Sequence, residues 1–330
     1  MDKKLEKQWQ KIWKASNGST YQSIGWIKSR ESAGQKPIFT LIEENGIISG
    51  GIVAFEKTKN FPFLGKKKIL LAEGSPIVLD KSVSVRVLKM FKKTSRDYAY
   101  GECYANVISP EENEFIKGGF HKTTSHTSML DLSLSESALF SNMEKKSIRW
   151  GVNYAKRNGL SFTEPMEPNE INSFYELYKK TAEEGRFQPE KKEFLKKLIE
   201  EGTGKLFLIK LKNKILGGGL ILLDVNKEYS ILNLTSCTEK GLKLQTMPFL
   251  YWNLILYSKS SGMKYFDFGG YDVDARKGDK LYNINKFKER FGGKITPQLI
   301  FSTSLFYASL RNLSKKSKLL RRIYEKTKSR

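Results

Sequence analysis

The chain has 330 residues, of which 39% are hydrophobic, 28% charged and 12% aromatic, with only 9 prolines. That composition excludes wholesale disorder, and the length favours two domains of ~100–200 residues over one. Lys and Arg number 58 against 35 Asp and Glu, a net charge of +23. Such a surplus draws anions (nucleic acid, phosphorylated ligands or an anionic membrane surface), although a solvated lysine-rich surface gives the same number.

Cysteine and histidine chemistry is thinly supplied. Cys103 and Cys237 lie far apart without C-x-x-C spacing, which argues against a disulfide scaffold or a cysteine zinc site. His121 and His126 have no flanking carboxylate pattern, so a metal site or a Ser/His/Asp mechanism is a poor fit. The opening residues, Met1 to Gln8, are charged and lead into no apolar signal-peptide core. The longest apolar run, around 215–223, is far short of the ~20 residues that span a bilayer. The expected compartment is the cytosol, with any membrane contact made at the surface.

In chain order, Leu5, Trp9, Ile12 and Trp13 predict a helix over 5–15, and a second short helix is expected over 22–29. Strands over 37–42 and 47–55 flank the turn Glu44-Asn45-Gly46, a hairpin signal. A short strand at 69–72, a helix over 82–94 and a strand over 98–108 follow, and 129–132 closes the first half. The second half opens with helical patterns over 133–158 that carry a basic run, Lys145-Lys146, Arg149 and Lys156-Arg157. Helices at 168–185 and 191–201 precede strands at 205–211, 215–224 and 228–236. An apolar helix at 247–260, with Pro248 in its first turn, leads to the strand Tyr265 to Gly270. This order predicts a mixed α/β (α+β) class, with helices on a largely antiparallel sheet and the same grammar used twice. Gly217-Gly218-Gly219 lies inside a strand pattern, so it reads as a bulge or a close backbone approach and not as a nucleotide loop.

In the tail, Phe306, Leu310, Leu313, Leu320 and Tyr324 share one helical face, and from Arg311 onward the net charge is +8. Such a helix can lie on an anionic surface or dock on the first domain. Docking is expected to about Leu313, and the remainder stays open.

Four ordered stretches resemble the Fem family of peptidoglycan aminoacyltransferases (the FemA, FemB and FemX type). They are Gln22-Ser23 with Trp26 and Lys28; Met129 to Leu132 with Lys145-Lys146, Arg149, Tyr154-Ala155-Lys156 and Gly159; Met247-Pro248 to Trp252 with Tyr265, Asp267 and Gly269-Gly270; and Phe287-Lys288 with Phe291-Gly292-Gly293. The resemblance spans nearly the whole chain. It implies two tandem acetyltransferase (GNAT)-like domains, 1–133 plus 304–330 and 134–303, with the C-terminal helix returning to the first. The long helical arm of the FemA branch has no counterpart here.

The activity the resemblance implies is transfer of an amino acid from aminoacyl-tRNA to the stem-peptide amine of a peptidoglycan precursor, either lipid II or a UDP-MurNAc-peptide. No metal or resident cofactor is implied, since the acceptor amine attacks the ester directly. Carried over by position, Lys288 corresponds to the lysine that stabilises the acyl-transfer intermediate, with Phe287 and Asp267 beside it. Lys28 and Trp26 correspond to the acceptor-binding region. Arg186 stands next to Phe187, displaced from the family's acceptor-gripping arginine, and Tyr229 or Asn233 is expected to face the cleft. Two rivals remain. One is an acyl-CoA-dependent N-acyltransferase on the same fold, although 240–245 keeps one glycine and no phosphate-loop pattern. The other is a non-enzymatic basic module for RNA or an anionic membrane surface, met through the tail.

Overall fold

A computed structural model describes residues 1–61, 64–108 and 111–316, with side chains through 313. The chain forms two compact units, Met1–Ser125 with the segment from Pro297, and His126–Thr296. The sequence cues at 133 and 303 mark where strands stop; the units divide earlier, at 125 and 296, in the middle of two strands.

The first unit begins with α1 (Lys3–Ala15) and α2 (Ile24–Ser32). Asp2 caps α1 by accepting the Leu5 amide at 2.8 Å, and Ser23 caps α2 by accepting that of Trp26 at 3.1 Å. Strands β1 (Pro37–Glu44) and β2 (Ile47–Phe61) form the expected hairpin, with Asn45 and Gly46 both at positive φ. Then come β3 (Gly65–Ala72), β4 (Ile77–Val78), α3 (Ser84–Thr94), β5 (Gly101–Tyr104), α4 (Glu112–Lys117) and the start of β6 (His121–Asp131). The strand expected over 98–108 is reduced to β5. A short 3₁₀ turn occupies Ser95–Asp97, and Asn106 turns the chain by accepting the Ile108 amide. The β1-β2-β3-β5 order contains one parallel pair, β3 with β5. Ile52, Leu70, Val87, Phe91, Phe115 and Phe301 form its core.

The second unit continues β6 and adds α5 (Glu136–Asn142), a π-helical turn (Lys145–Arg149), α6 (Trp150–Arg157), β7 (Leu160–Thr163), α7 (Pro168–Gly185) and α8 (Lys192–Glu200). The meander β8 (Gly204–Leu211), β9 (Lys214–Asp224) and β10 (Tyr229–Cys237) follows, then α9 (Glu239–Lys243), α10 (Thr246–Ser260), β11 (Tyr265–Gly270) and α11 (Lys280–Glu289). Its strands run β7-β8-β9-β10-β11-β6, antiparallel except for β10 with β11. The order repeats that of the first unit: antiparallel neighbours, one parallel pair, then an antiparallel closing strand. A Cβ at Gly217 would lie 2.8 Å from the Ser236 carbonyl oxygen, and one at Gly218 2.6 Å from that of Phe207. The glycine run is therefore the close backbone approach that its strand setting predicts.

Strand β12 (Lys294–Ser302) supplies Ile300–Ser302 to pair with β5 in the first unit. There α12 (Leu305–Lys316) docks through Tyr307, stacked on Tyr100 at 4.5 Å, and through Arg311, 3.1 Å from Glu102. This corrects the expected docking face. Phe306 and Leu313 remain 58% and 55% exposed, because Tyr307 and Arg311, one turn apart, take the sheet side. Leu320 and Tyr324 lie outside the described residues. Among the described residues no helix is long and apolar enough to cross a membrane.

Candidate acyl-transfer site

Strand β10 pairs with β9 along its length, with one extra residue, Asn233, between Leu232 and Leu234. Its parallel pairing with β11 covers only Tyr229–Ile231 against Tyr265–Asp267, so the two strands part beyond that point. On the other side of β11, Asp267 faces Met129 and Gly270 faces Thr127, three residues spanning two. That bulge sits at Gly269, whose φ of +78° is open to glycine and strained for other residues.

The bulge redirects two carbonyls. The Lys288 ammonium, on α11, donates to the Gly269 oxygen at 2.9 Å and the Gly270 oxygen at 2.6 Å. Its third N–H has no acceptor among the described residues. A Cβ built on Gly270 would meet nothing within 4 Å, so open space adjoins this strand end. Lys288 is only 6% exposed, and burial lowers its pKa to about 8, against an opposing pull from the Asp267 charge. Asp267 is equally buried, and burial raises its pKa. Its Oδ1 accepts the Thr127 hydroxyl and, at 2.8 Å, the Gly269 amide; these bonds and Lys288 act the other way. Asp267 thus fixes the bulge that receives Lys288 and offsets part of its charge.

Helix α11 is held from several directions. Asn285 Nδ2 donates to the Asp272 carbonyl at 2.7 Å, and the Tyr271 hydroxyl donates to Glu289. Phe287 packs edge-on against Tyr251, with ring centroids 5.1 Å apart, so its place is in the packing under the lysine. Tyr251 is buried, which raises its phenol to about 12, and it bonds Thr235 on the bulged strand.

Lys288, Asp267, Phe287 and Asn233 therefore gather around the parting of β10 and β11. Tyr229 is buried in the paired part of β10, so of the two expected cleft residues Asn233 occupies the bulge. Arg186 is an exposed left-handed cap at the end of α7. Lys28 and Trp26 belong to the first unit. Lys28 pairs with Glu6 at 2.7 Å. Trp26 is 1% exposed, with Tyr21 edge-on at 4.9 Å and the Arg30 guanidinium 4.6 Å over its ring. Its surface is spent on packing within the first unit. Thr127, Tyr251 and Asn285 are the members that the sequence reading did not single out.

The segment aligned with a CoA phosphate loop is a closed turn. Thr238 Oγ1 accepts the Gly241 amide at 2.9 Å, while the amides of Leu242, Leu244 and Gln245 bond to carbonyls within 238–242. A Cβ on Gly241 would lie 2.6 Å from the Leu216 carbonyl oxygen, so this glycine serves packing. These amides have no free N–H to offer a pyrophosphate.

No family model and no curated protein matches the sequence. Among solved structures, FemX superposes with a TM-score of 0.69 at 14% identity, covering 94% of this chain and 97% of FemX. The C-terminal DUF2156 domain of an Agrobacterium fabrum protein described as a lysylphosphatidylglycerol synthetase gives 0.63 at 13% identity, over 94% of this chain and 95% of that one. L-PGS from Bacillus licheniformis gives 0.62 at 14% identity, over 96% of each chain. The fold is thus the one seen in FemX: mixed α/β, with two compact units that use the same strand order and a C-terminal helix docked on the first.

Proposed function

We propose that the protein is an aminoacyltransferase that moves an amino acid from its tRNA ester to the stem-peptide amine of a peptidoglycan precursor. The observation that carries the reading is the buried Lys288 ammonium, anchored by two bulge carbonyls with one N–H left over. The acceptor nitrogen attacks the ester carbonyl carbon and forms a C–N bond. The C–O bond to the ribose then breaks, and the proton lost by the amine ends on the leaving hydroxyl. Between these events an oxyanion exists, and a preplaced cationic N–H in a dry site stabilises it. Likeness in fold to FemX supports the acceptor class, and the net charge of +23 suits a polyanionic donor.

A second acceptor, the hydroxyl of a phosphatidylglycerol headgroup, is favoured by the comparable superposition on the protein described as a lysylphosphatidylglycerol synthetase. The test offers the purified protein charged tRNAs, acyl-CoA esters, muropeptide precursors and phosphatidylglycerol, and reads products by mass. The expected product is a precursor heavier by one aminoacyl residue. A heavier lipid selects the second acceptor, and acylation from CoA alone overturns the tRNA-donor reading.

A further inference from the structure

Helix α12 has two sides. Tyr307, Ala308 and Arg311 face the sheet of the first unit, where Tyr307 lies 5.1 Å from Phe61 as well as on Tyr100. The other side leaves Leu305, Phe306 and Leu313 more than half exposed. The hairpin of β2 and β3 ends beside this helix. Phe61 and Gly65 are its last pair, and the Leu64 amide closes the turn on the Phe61 carbonyl at 3.3 Å. Leu64 itself is 37% exposed. Rings join the two elements: Phe61 meets Tyr307, and Phe306 stands edge-on to Tyr307 at 5.2 Å. Just behind the hairpin end come Lys66, Lys67 and Lys68, all exposed. Lys67 stands opposite Lys59 in the register, and Lys59 shares Glu102 with Arg311 of α12. Lys68 pairs with Glu56 at 2.9 Å, but among the described residues no carboxylate pairs with Lys66 or Lys67. In the sequence, the chain from Arg311 onward adds a net +8.

We infer that this margin of the first unit seats on an anionic phospholipid bilayer. Leu64, Phe306 and Leu313 enter the boundary between headgroups and acyl chains, and Lys66 and Lys67 meet lipid phosphates. The kind of side chain left exposed selects the partner. Leu64, Leu305 and Leu313 are aliphatic and give a base no face to stack on, so a nucleic acid would leave them in water. A second copy of the chain would bring a further +23 to the contact. An anionic bilayer withdraws the apolar side chains from water and neutralises the lysines in one contact. An apolar patch of this size with a few cations gives reversible attachment, not insertion across the membrane. The surface belongs to the first unit alone, and the inference does not depend on transfer taking place.

The test is co-sedimentation of the full-length protein with vesicles of phosphatidylcholine and phosphatidylserine, with phosphatidylcholine alone as the control. Phosphatidylserine is outside both acceptor classes considered above, so binding is read apart from transfer. The protein should sediment with the anionic mixture and be released as salt rises. Phe306→Ser with Leu313→Ser should lower the partition constant at least about tenfold, since the bilayer removes their apolar area from water. Lys66→Gln with Lys67→Gln should lower it roughly fivefold for each lysine, the usual worth of a cation near an anionic surface. All four side chains are exposed, and thermal melts confirm that each variant is folded. Partitioning undiminished in both pairs overturns the inference, including the case where only removal of 317–330 abolishes it and the tail acts as a simple polycation. Equal binding to phosphatidylcholine, or none to either vesicle, overturns it too. A dimer in light scattering that Phe306→Ser with Leu313→Ser dissociates assigns the face to a second copy instead. RNA binding lost on Lys66→Gln with Lys67→Gln, while vesicle binding stands, assigns the lysines to nucleic acid. A protein that transfers amino acids and ignores vesicles keeps the proposed function and loses this surface; one that binds vesicles through these residues and transfers nothing does the reverse.

Discussion

Replacing Lys288 with Met should strengthen the fold while stopping the chemistry. Burial brings the ammonium from 10.5 to about 8. At 1.36 kcal/mol per pH unit this is a cost of roughly 3 kcal/mol, carried by the native state at any pH below 8. The sign follows from proton counting. Between pH 8 and 10.5 the unfolded chain holds the proton and the native lysine has lost it, so wild-type stability rises through that window. Met has similar length and no charge to desolvate. It forfeits two hydrogen bonds, but the freed Gly270 carbonyl belongs to an exposed residue and can be hydrated. Lys288→Met should therefore gain ~1–3 kcal/mol at pH 7 in urea denaturation, and the gain should shrink to near zero by about pH 10.5. Transfer should fall on the order of 100–1000-fold, the usual effect of removing one oxyanion-stabilising group. A loss of more than ~1 kcal/mol at both pH values would make the lysine a structural clamp, as would transfer retained within threefold.

Three further outcomes are expected. The transfer rate should show a falling limb near pH 8 as Lys288 loses its proton, and Lys288→Arg, whose guanidinium does not titrate there, should lack that limb in a pH–rate profile. Gly269→Ala should cost ~1–2 kcal/mol because its φ is +78°, whereas Gly270→Ala, with open space around its Cβ, should stay within ~0.5 kcal/mol; paired urea melts check this contrast. In the first unit, burial pushes the Glu102 carboxyl up but Lys59 at 2.7 Å and Arg311 at 3.1 Å outweigh it, so its pKa lies below the usual range. Glu102 thus adds stability that is lost as pH falls through its native pKa. Arg311→Ala should cost ~1–3 kcal/mol at pH 7 and move the acid loss to higher pH, read by melts from pH 3 to 7 and by proteolysis of α12.

Much of the architecture is legible in apolar spacing because each unit buries one face of its helices and strands. The Asn45-Gly46 hairpin, α10 and β11 all stand where period and turn chemistry put them. Asp267 is visible as an acid between two phenylalanines in a strand, and Phe287-Lys288 through its motif. Thr127 is hidden because it lies in a run of hydroxyl residues whose alternation does not say which one meets a carboxylate. The unit boundaries are hidden for a different reason: the chain passes from one unit to the other within β6 and β12, where no turn or change of composition marks the place. Trp26 and Lys28 stand in the sequence as an aromatic beside a cation, and spacing alone does not say that the indole is 1% exposed or that the lysine meets Glu6.

Strand β12 and helix α12 give vectorial synthesis an uneven schedule. His126–Thr296 is contiguous and can condense as soon as it leaves the ribosome, whereas the amino-terminal unit is begun first and finished last. Until Ile300–Ser302 emerges, β5 keeps a bare edge, and until Arg311 follows, the Glu102 carboxylate waits for its second cation. For the time it takes to translate nearly 200 codons, at ~5–20 residues per second, the nascent chain carries an open sheet margin that invites wrong pairing or a chaperone.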